Sequence, residues 1–286
     1  MKHSEVFQDT SRHSEDLYFT DTPPGDVAYF EQPFEQYSLE GRILYNKGRE
    51  EPWILSVHGA RADYTKANAV SFGLQQRGYS LLGMNMSGHS KAGVLAPEQT
   101  TLGDNIREVE AFFDYLKSDH KKTVIGYSLG GTPVLKLLEN HASEIDKIVL
   151  FYPGIYSKNA YDKHFGTEFR DVISEAYSYR NNDTIDLLRR FNGRLLLVKG
   201  QYDGLDPQEY GKPAGTSAGE IEVQGKKYYS PIPKDVIDMV YDAIPEDRRQ
   251  LIEIPDCDHS VILWMRDHPA EAHHLIDRVH QFLHAS

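Results

Sequence analysis

The sequence predicts an α/β fold, with a mostly parallel central sheet and helices packed on its flanks. Two observations indicate this class. Short, continuous apolar runs of strand length are typical of strands that are buried on both faces of a parallel sheet. Amphipathic helical segments separate these runs, and such alternation is typical of α/β proteins with right-handed crossovers. The strands are predicted at residues 53–57, 80–84, 123–125, 148–152, 195–198 and 251–254.

Two helices and two hairpins complete the predicted elements. Residues 105–116 and 272–283 carry apolar side chains at helical spacing, and Asp267 is expected to cap the second helix, with Pro269 in its first turn. Residues 36–44 show a broken alternation, which predicts a hairpin with Gly41 near its turn. Residues 220–230 are expected to form a small hairpin.

Three segments do not fit the alternation of strands and helices. Residues 1–25 are polar and are expected to form an N-terminal arm. Residues 155–192 hold two helical stripes with no strand between them, which predicts a helical cap. Residues 208–233 are rich in Gly, Pro, Lys and Tyr, which favours an inserted, mobile flap. The core is then formed by residues 26–154 and 193–286.

Composition excludes several classes of protein. The net charge is −12, which argues against nucleic acid or an anionic membrane as the main partner. A mean hydropathy of −0.55 and the shortness of the apolar runs argue against a membrane span. The first 24 residues lack the apolar stretch of a secretory signal. Cys257 is the single cysteine, so no internal disulfide can form, and a reducing cytoplasm is the expected compartment.

The strongest motif is G-Y-S-L-G at residues 126–130, which follows an apolar strand and precedes an apolar helical run. A serine that is held on a sharp turn between strand and helix needs very small residues two positions before and after it. Gly126 and Gly130 meet this need for Ser128. The motif therefore predicts a nucleophile elbow with Ser128 as its nucleophile.

With this motif the chain resembles the α/β-hydrolases, from about Gln36 to the C-terminus. The family order of nucleophile, acid and histidine implies that His259, in the loop after the last strand, is the base. The G-x-x-D turn at residues 200–203 resembles the family's acid turn and implies Asp203, with Asp206 as the rival. Asp256 and Asp258 are too close to His259 in sequence to be its usual partner.

The resemblance also implies an oxyanion hole made of the backbone N–H groups of Leu129 and Ala60. Ala60 belongs to H-G-A-R at residues 58–61, which follows the first apolar strand and is similar to the family's His-Gly start. Arg61 either binds a substrate carboxylate or phosphate or forms a surface salt bridge. His89, in the loop after the next strand, is expected to be structural.

Specificity is expected to come from the cap and the flap. The candidate substrate-binding residues are Arg61, Tyr127, Tyr156, Phe165 and Phe169. Surplus aromatic residues in the cap favour an apolar acyl or aromatic pocket, and the alternative is that these rings only pack the cap onto the sheet. The flap begins five residues after Asp203, so it is expected to border the mouth of the active site.

The resemblance implies hydrolysis of a small or medium ester or thioester through an acyl-enzyme, as in small-molecule esterases, thioesterases and acylglycerol lipases. One alternative is an acyltransferase or cyclising thioesterase on the same triad, and another is a binding protein or lyase on this fold. No cofactor is required, since dinucleotide, nucleoside-triphosphate and zinc-protease motifs are missing from the sequence. His280 and His284 are four residues apart but have no evident third metal ligand. The oligomeric state is left open.

Overall fold

The computed structural model describes residues 22–89, 94–117 and 119–285, so most of the predicted arm lies outside the described residues. The described strands are β1 (Val27–Pro33), β2 (Ser38–Leu44), β3 (Ile54–Val57), β4 (Leu81–Met84), β5 (Lys122–Tyr127), β6 (Ile145–Phe151), β7 (Arg194–Gly200), β8 (Gly219–Val223), β9 (Lys226–Ser230) and β10 (Arg249–Ile254). Eight of them form one sheet in the order β1-β2-β4-β3-β5-β6-β7-β10.

The predicted, mostly parallel sheet is confirmed. Strands β4, β3, β5, β6, β7 and β10 pair in parallel, and only β1 and β2 run antiparallel to their neighbours. All residues of β3, β4 and β5 are buried, which explains their continuous apolar sequences. The carboxyl ends of six parallel strands meet at one edge, which is where open α/β sheets place their ligand sites.

The helices of the described residues form two layers. They are α1 (Asn68–Gln76), α2 (Leu102–Phe113), α3 (Gly131–Lys136), α4 (Leu138–His141), α5 (Thr167–Ser174), α6 (Thr184–Arg190), α7 (Lys234–Asp242), α8 (Val261–Asp267) and α9 (Pro269–His284). Helices α1, α8 and α9 pack together on one face of the sheet, and α2, α3, α6 and α7 pack on the other. Each layer buries its own apolar core against the sheet. No helix of the described part of the chain is both long and apolar enough to cross a membrane.

The prediction for Gly41 was wrong. Gly41 lies in the middle of β2 opposite Phe30 of β1, and the turn of this hairpin is closed by a hydrogen bond from Phe34 N to Tyr37 O. A Cβ on Gly41 would lie 2.5 Å from the Phe30 ring, so the glycine makes room for that ring. The error arose because half-exposed β1 has no strong apolar pattern of its own.

The predicted N-cap residue of α9 was wrong by one position. His268 is the N-cap residue of α9, whereas Asp267 is the last residue of α8, and Pro269 occupies the first turn as expected. Only His268 separates the two helices, and aspartate is a more common N-cap residue than histidine, so the aspartate one position upstream resembled the cap.

The two inserted segments follow the carboxyl ends of β6 and β7. Residues 155–192 contain α5 and α6, and α6 packs against α3 and α7. Residues 208–233 contain the antiparallel hairpin β8–β9, in the region where a small hairpin was predicted. Three buried residues of this segment, Ala218, Ile221 and Tyr228, form a small apolar cluster. Tyr202 and Leu205, in the loop after β7, pack against this cluster.

Candidate active site

Ser128 follows β5 directly, on a turn that only small neighbours permit. Its backbone φ is 48°, in the left-handed region that non-glycine residues rarely adopt. A Cβ on Gly126 would lie 2.8 Å from the carbonyl oxygen of Gly130, and one on Gly130 would lie 2.5 Å from the carbonyl oxygen of His58. The two glycines therefore allow the tight turn that turns Ser128 towards the carboxyl edge of the sheet.

Ser128, His259 and Asp203 lie in one hydrogen-bonded chain. Ser128 Oγ is 3.0 Å from His259 Nε2, and His259 Nδ1 is 2.7 Å from Asp203 Oδ2. The Asp203 carboxylate is fully buried, and its other oxygen accepts a hydrogen bond from Gly204 N at 3.0 Å. The rival Asp206 instead accepts from Gln208 N at 3.0 Å and caps the short 3-10 helix that follows it.

A buried lysine holds the turn that carries Asp203. Lys199 Nζ donates to the carbonyl oxygen of Asp203 at 3.0 Å and to that of Gly200 at 3.1 Å. The same ammonium group pairs with Glu253 at 2.8 Å. Lys199 therefore ties the ends of β7 and β10, the two strands that are followed by the acid and the histidine. The sequence analysis did not single out this lysine, which sits inside an otherwise apolar strand.

The hairpin β8–β9 holds the loop of His259. His259 N donates to the carbonyl oxygen of Tyr229 at 3.2 Å, and Tyr229 N donates to Asp258 Oδ2 at 2.7 Å. The other oxygen of Asp258 accepts from Ser260 N at 2.8 Å. Asp256 accepts hydrogen bonds from the Tyr228 hydroxyl and from Lys226, also on the hairpin. The sequence analysis missed these contacts, because nothing local links the hairpin to this loop.

The predicted oxyanion loop, residues 58–61, lies against Ser128. A Cβ on Gly59 would be 3.0 Å from Ser128 Cβ, so a larger residue would crowd the nucleophile. Among the described residues, neither Ala60 N–H nor Leu129 N–H has a hydrogen-bond partner. Both donors are thus available to a ligand at the two positions that the sequence predicts.

His58 is buried behind this loop in a defined protonation state. Its Nε2 accepts a hydrogen bond from Met86 N at 3.0 Å, so the ring proton lies on Nδ1, 2.7 Å from the carbonyl oxygen of Gly59. Burial lowers the pKa of His58 to about 3, so the ring is neutral at pH 7.

A cavity of about 910 Å³ opens above Ser128 and His259. The cap contributes Tyr156, Phe165 and Phe169 to its lining, and the residue 208–233 segment contributes Thr216 and Ile232 among others. Both inserted segments therefore border the same cavity. A residue that the sequence analysis missed, Tyr152, places its ring edge-on to His259, with the ring centroids 4.7 Å apart.

One side of the cavity is an aromatic wall, which consists of Phe165, Phe169 and Tyr156. Their ring centroids follow one another at 5.0 and 5.3 Å, and the ring of His89 adjoins Phe165 at 4.6 Å. Tyr127 borders the cavity too, but its ring is stacked on Phe151 in the core at 4.7 Å. Arg61 lies at the exposed rim, with a backbone φ of 53°.

The histidine pair of α9 is engaged with an aromatic ring. The Tyr79 hydroxyl lies 2.9 Å from His280 Nδ1, and the rings of His280 and His284 both adjoin Tyr79. Over residues 22–89, 94–117 and 119–285 there is no group of three or more His, Cys, Asp or Glu side chains that could hold a metal ion.

The eight-stranded sheet and its flanking helices have the α/β-hydrolase fold. Residues 49–190 match the family model described as "Serine aminopeptidase, S33". A search of curated protein sequences finds no significant match.

Solved structures share the fold at low sequence identity. A serine hydrolase, CCSP0084, from the polyaromatic-hydrocarbon-degrading bacterium Cycloclasticus zankles is 13% identical with a TM-score of 0.60, over 91% of this chain and 100% of that one. Est1E from Butyrivibrio proteoclasticus, solved with ferulic acid, is 16% identical with a TM-score of 0.58, over 85% and 98%. The thioesterase domain from the curacin biosynthetic pathway is 12% identical with a TM-score of 0.58, over 88% and 99%.

Proposed function

We propose that this protein is a serine hydrolase that cleaves an ester or thioester of a small or medium substrate through an acyl-enzyme. The observation that carries the proposal is the hydrogen-bonded chain from Ser128 through His259 to Asp203, which begins at the floor of a cavity. A loop serine without a catalytic role needs neither a strained backbone nor a histidine at 3.0 Å that is itself bonded to a fully buried carboxylate.

The geometry supports the following acylation step. Ser128 Oγ attacks the substrate carbonyl carbon while His259 Nε2 takes the hydroxyl proton. Asp203 keeps the other ring proton on Nδ1 and stabilises the imidazolium that forms. The N–H groups of Ala60 and Leu129 donate to the oxyanion. His259 then returns its proton to the leaving alcohol or thiol as the carbonyl–oxygen or carbonyl–sulfur bond breaks.

Deacylation uses the same groups in reverse. His259 removes a proton from water, and the resulting hydroxide attacks the acyl carbon of the ester formed on Ser128. The second oxyanion is held by the same two N–H groups. Its collapse expels Ser128 Oγ, which regains a proton from His259, and releases the carboxylic acid. Every proton in this cycle is carried by this chain's own residues or by water.

The cavity supports the size and nature of the proposed substrate. The cap and the residue 208–233 segment cover the approach to Ser128, which favours a molecule that fits within about 910 Å³ over a polymer. The aromatic wall favours an apolar or aromatic group on the substrate. The structural neighbours include a serine hydrolase, a thioesterase domain and a thermophilic esterase from Thermogutta terrifontis, which supports acyl chemistry of this kind.

A fluorophosphonate probe followed by a panel of p-nitrophenyl and coenzyme A esters tests the proposal. We expect the probe adduct on Ser128 and a loss of kcat of at least about 10³ in Ser128→Ala. Ser174→Ala is the matched control, because Ser174 borders the same cavity but is the exposed last residue of α5, and this variant should be labelled and active like the wild type. An adduct on another residue, or full activity in Ser128→Ala, would rule the mechanism out.

A further inference from the structure

His89 is a buried cavity residue that the proposed reaction does not use. It follows β4, retains only 4% of its surface exposed and borders the cavity. In the sheet order β4-β3-β5, the oxyanion loop after β3 lies between the loop of His89 and the turn of Ser128. His89 therefore borders the part of the cavity that lies on the far side of residues 58–61 from Ser128.

Hydrogen bonds to Asn105 determine which nitrogen of His89 carries the proton. Asn105 Nδ2 donates to the carbonyl oxygen of Ser87 at 3.2 Å and to Glu108 Oε2 at 2.9 Å. Both partners can only accept, so the amide oxygen of Asn105 must be the atom that faces His89 Nε2 at 2.8 Å. His89 Nε2 is therefore the donor. A neutral imidazole has one N–H, so Nδ1 presents a lone pair.

The surroundings keep this arrangement in place. Glu108 is fully buried and also accepts hydrogen bonds from the Tyr37 hydroxyl at 2.7 Å and from Ser87 N at 3.0 Å. This network holds Asn105 in one orientation, since a flipped amide would direct its oxygen at a carboxylate. Burial lowers the pKa of His89 to about 4, so the ring stays neutral at pH 7.

The lone pair on His89 Nδ1 has no hydrogen-bond partner among the residues that the structure describes. Buried acceptors are usually satisfied by protein, water or ligand, so one that is left open at a cavity wall is suited to a donor on a ligand. The ring of His89 also continues the aromatic wall, since its centroid is 4.6 Å from that of Phe165. A planar substrate ring that lies along this wall would bring its far substituent to His89.

We propose that His89 Nδ1 accepts a hydrogen bond from the hydroxyl group of a substrate whose aromatic ring lies against Phe165, Phe169 and Tyr156, so that the preferred substrate is a hydroxyaryl ester or thioester. The catalytic part of this statement rests on the proposed function, whereas the binding part does not. A methyl ether in place of the hydroxyl leaves Nδ1 unpaired and places a second lone pair opposite it. Sites built to receive a hydroxyl reject such analogues strongly.

The test uses matched esters that carry a 4-hydroxyl, a 4-methoxyl or no substituent on the ring. One set places the ring in the acyl part, as methyl 3-arylpropanoates, and the other in the alcohol part, as 2-arylethyl acetates. In one of the two sets we expect wild-type kcat/KM to be at least about tenfold higher for the hydroxyl than for the methoxyl ester, the size of a typical hydrogen bond. His89→Phe keeps a ring but has no acceptor, so this ratio should fall to about 1.

His89→Gln is the conservative control, because its N–H can still bond to Asn105 while its oxygen offers an acceptor. It should recover part of the hydroxyl preference. A structural role alone would lower kcat/KM for all three esters by the same factor in both variants. Equal treatment of hydroxyl and methoxyl esters by the wild-type enzyme in both sets would overturn the inference.

Binding separates this inference from the proposed function. The dissociation constants of 3-(4-hydroxyphenyl)propanoate and its methyl ether, and of 2-(4-hydroxyphenyl)ethanol and its methyl ether, are measured by calorimetry with Ser128→Ala, which needs no turnover. A preference for a hydroxyl compound that is lost in Ser128→Ala/His89→Phe supports the His89 site even if the wild type hydrolyses no ester. Equal affinities in both pairs for Ser128→Ala overturn it even if every ester is hydrolysed, and this comparison also decides the matter if His89→Phe does not fold.

Discussion

His58 Nδ1 lies 2.7 Å from the carbonyl oxygen of Gly59, so the buried imidazole holds the peptide group that joins Gly59 to Ala60. In a trans peptide the C=O and N–H bonds point in opposite directions. A carbonyl that is bonded back to His58 therefore directs the N–H of Ala60 away from His58. This relationship makes His58 a positioning residue for the proposed oxyanion hole.

Replacing His58 by phenylalanine should therefore lower kcat more than it raises KM. An oxyanion donor acts mainly in the transition state, and loss of one costs about 10²–10³ in kcat, so a donor that is only misdirected should cost about 10–10². Steady-state kinetics on the best ester of the panel gives both constants. His274→Phe, on the exposed side of α9, is the control and should leave both unchanged. A change in KM alone would show that His58 does not act through the oxyanion.

Substitution of the two aspartates after β7, Asp203 and Asp206, should have very different effects on kcat. Asp203→Asn is expected to lower kcat by on the order of 10³–10⁴, because an amide at this position cannot hold the required tautomer of His259 or stabilise its cation. Asp206→Asn retains an oxygen that can accept from Gln208 N, so its activity should stay close to that of the wild type. Circular dichroism and thermal melting check that both variants fold. The reverse order of activities would exchange the two assignments.

Acid should weaken the fold through His58 and His89. Their pKa values are lowered to about 3 and about 4, so between pH 6.5 and about 4 the unfolded chain binds protons that the folded chain does not. The free energy of unfolding therefore falls as pH falls through this window. Buried Asp63 acts in the opposite sense: its pKa is raised to about 6, so on acidification the folded chain takes up a proton before the unfolded chain does.

Urea unfolding of the wild type and His89→Phe at several pH values isolates one of these contributions. Well inside the window each histidine contributes about 1.4 kcal/mol per pH unit. The free energy of unfolding of His89→Phe should therefore depend less steeply on pH, by up to about this amount, between pH 6 and 4.5. Parallel curves for the two proteins would mean that His89 is protonated equally in the folded and unfolded states.

Asp258 should matter for turnover through the backbone of the loop that carries His259. Its carboxylate accepts from Tyr229 N at 2.7 Å and from Ser260 N at 2.8 Å, on either side of the loop that carries His259. Asp258→Ala should lower kcat by about 10–10², since small displacements of a catalytic group cost this much. Asp258→Asn should restore part of it. Asp256→Ala, which loses contacts only with Tyr228 and Lys226, should have a much smaller effect on kcat.

The positions of Ser128, Asp203 and His259 could be inferred from sequence because each lies in the loop that follows a parallel strand. The carboxyl ends of such strands meet at one edge, so position along the chain translates directly into position in space. All six apolar runs lie in parallel strands. Five of these strands lie inside the sheet, where burial on both faces leaves little choice of residue type. The sixth, β10, is an edge strand in which Leu251 and Glu253 are exposed.

Contacts between segments distant in the chain could not be inferred in this way. The bond between Tyr229 and Asp258 depends on how a hairpin packs, and no residue pattern around either position encodes that packing. Gly41 was placed in a turn because the strand opposite it, with its half-exposed residues, is not recognisable alone. The proton on His89 is set by Asn105 and Glu108, whose roles emerge only when α2 is docked on the sheet.

The β8–β9 hairpin contacts both the cavity and the loop that carries His259. It occupies the stretch of chain between Asp203 and His259, borders the entrance and supports the histidine loop through the backbone of Tyr229. A chimaera that carries another hydrolase's hairpin would therefore change the lining of the cavity and the position of His259 at the same time. Randomising only the side chains of Thr216 and Ile232 leaves those backbone bonds intact. Directed evolution at these two positions alone is therefore expected to change substrate choice while the rate of the chemical step stays close to that of the wild type.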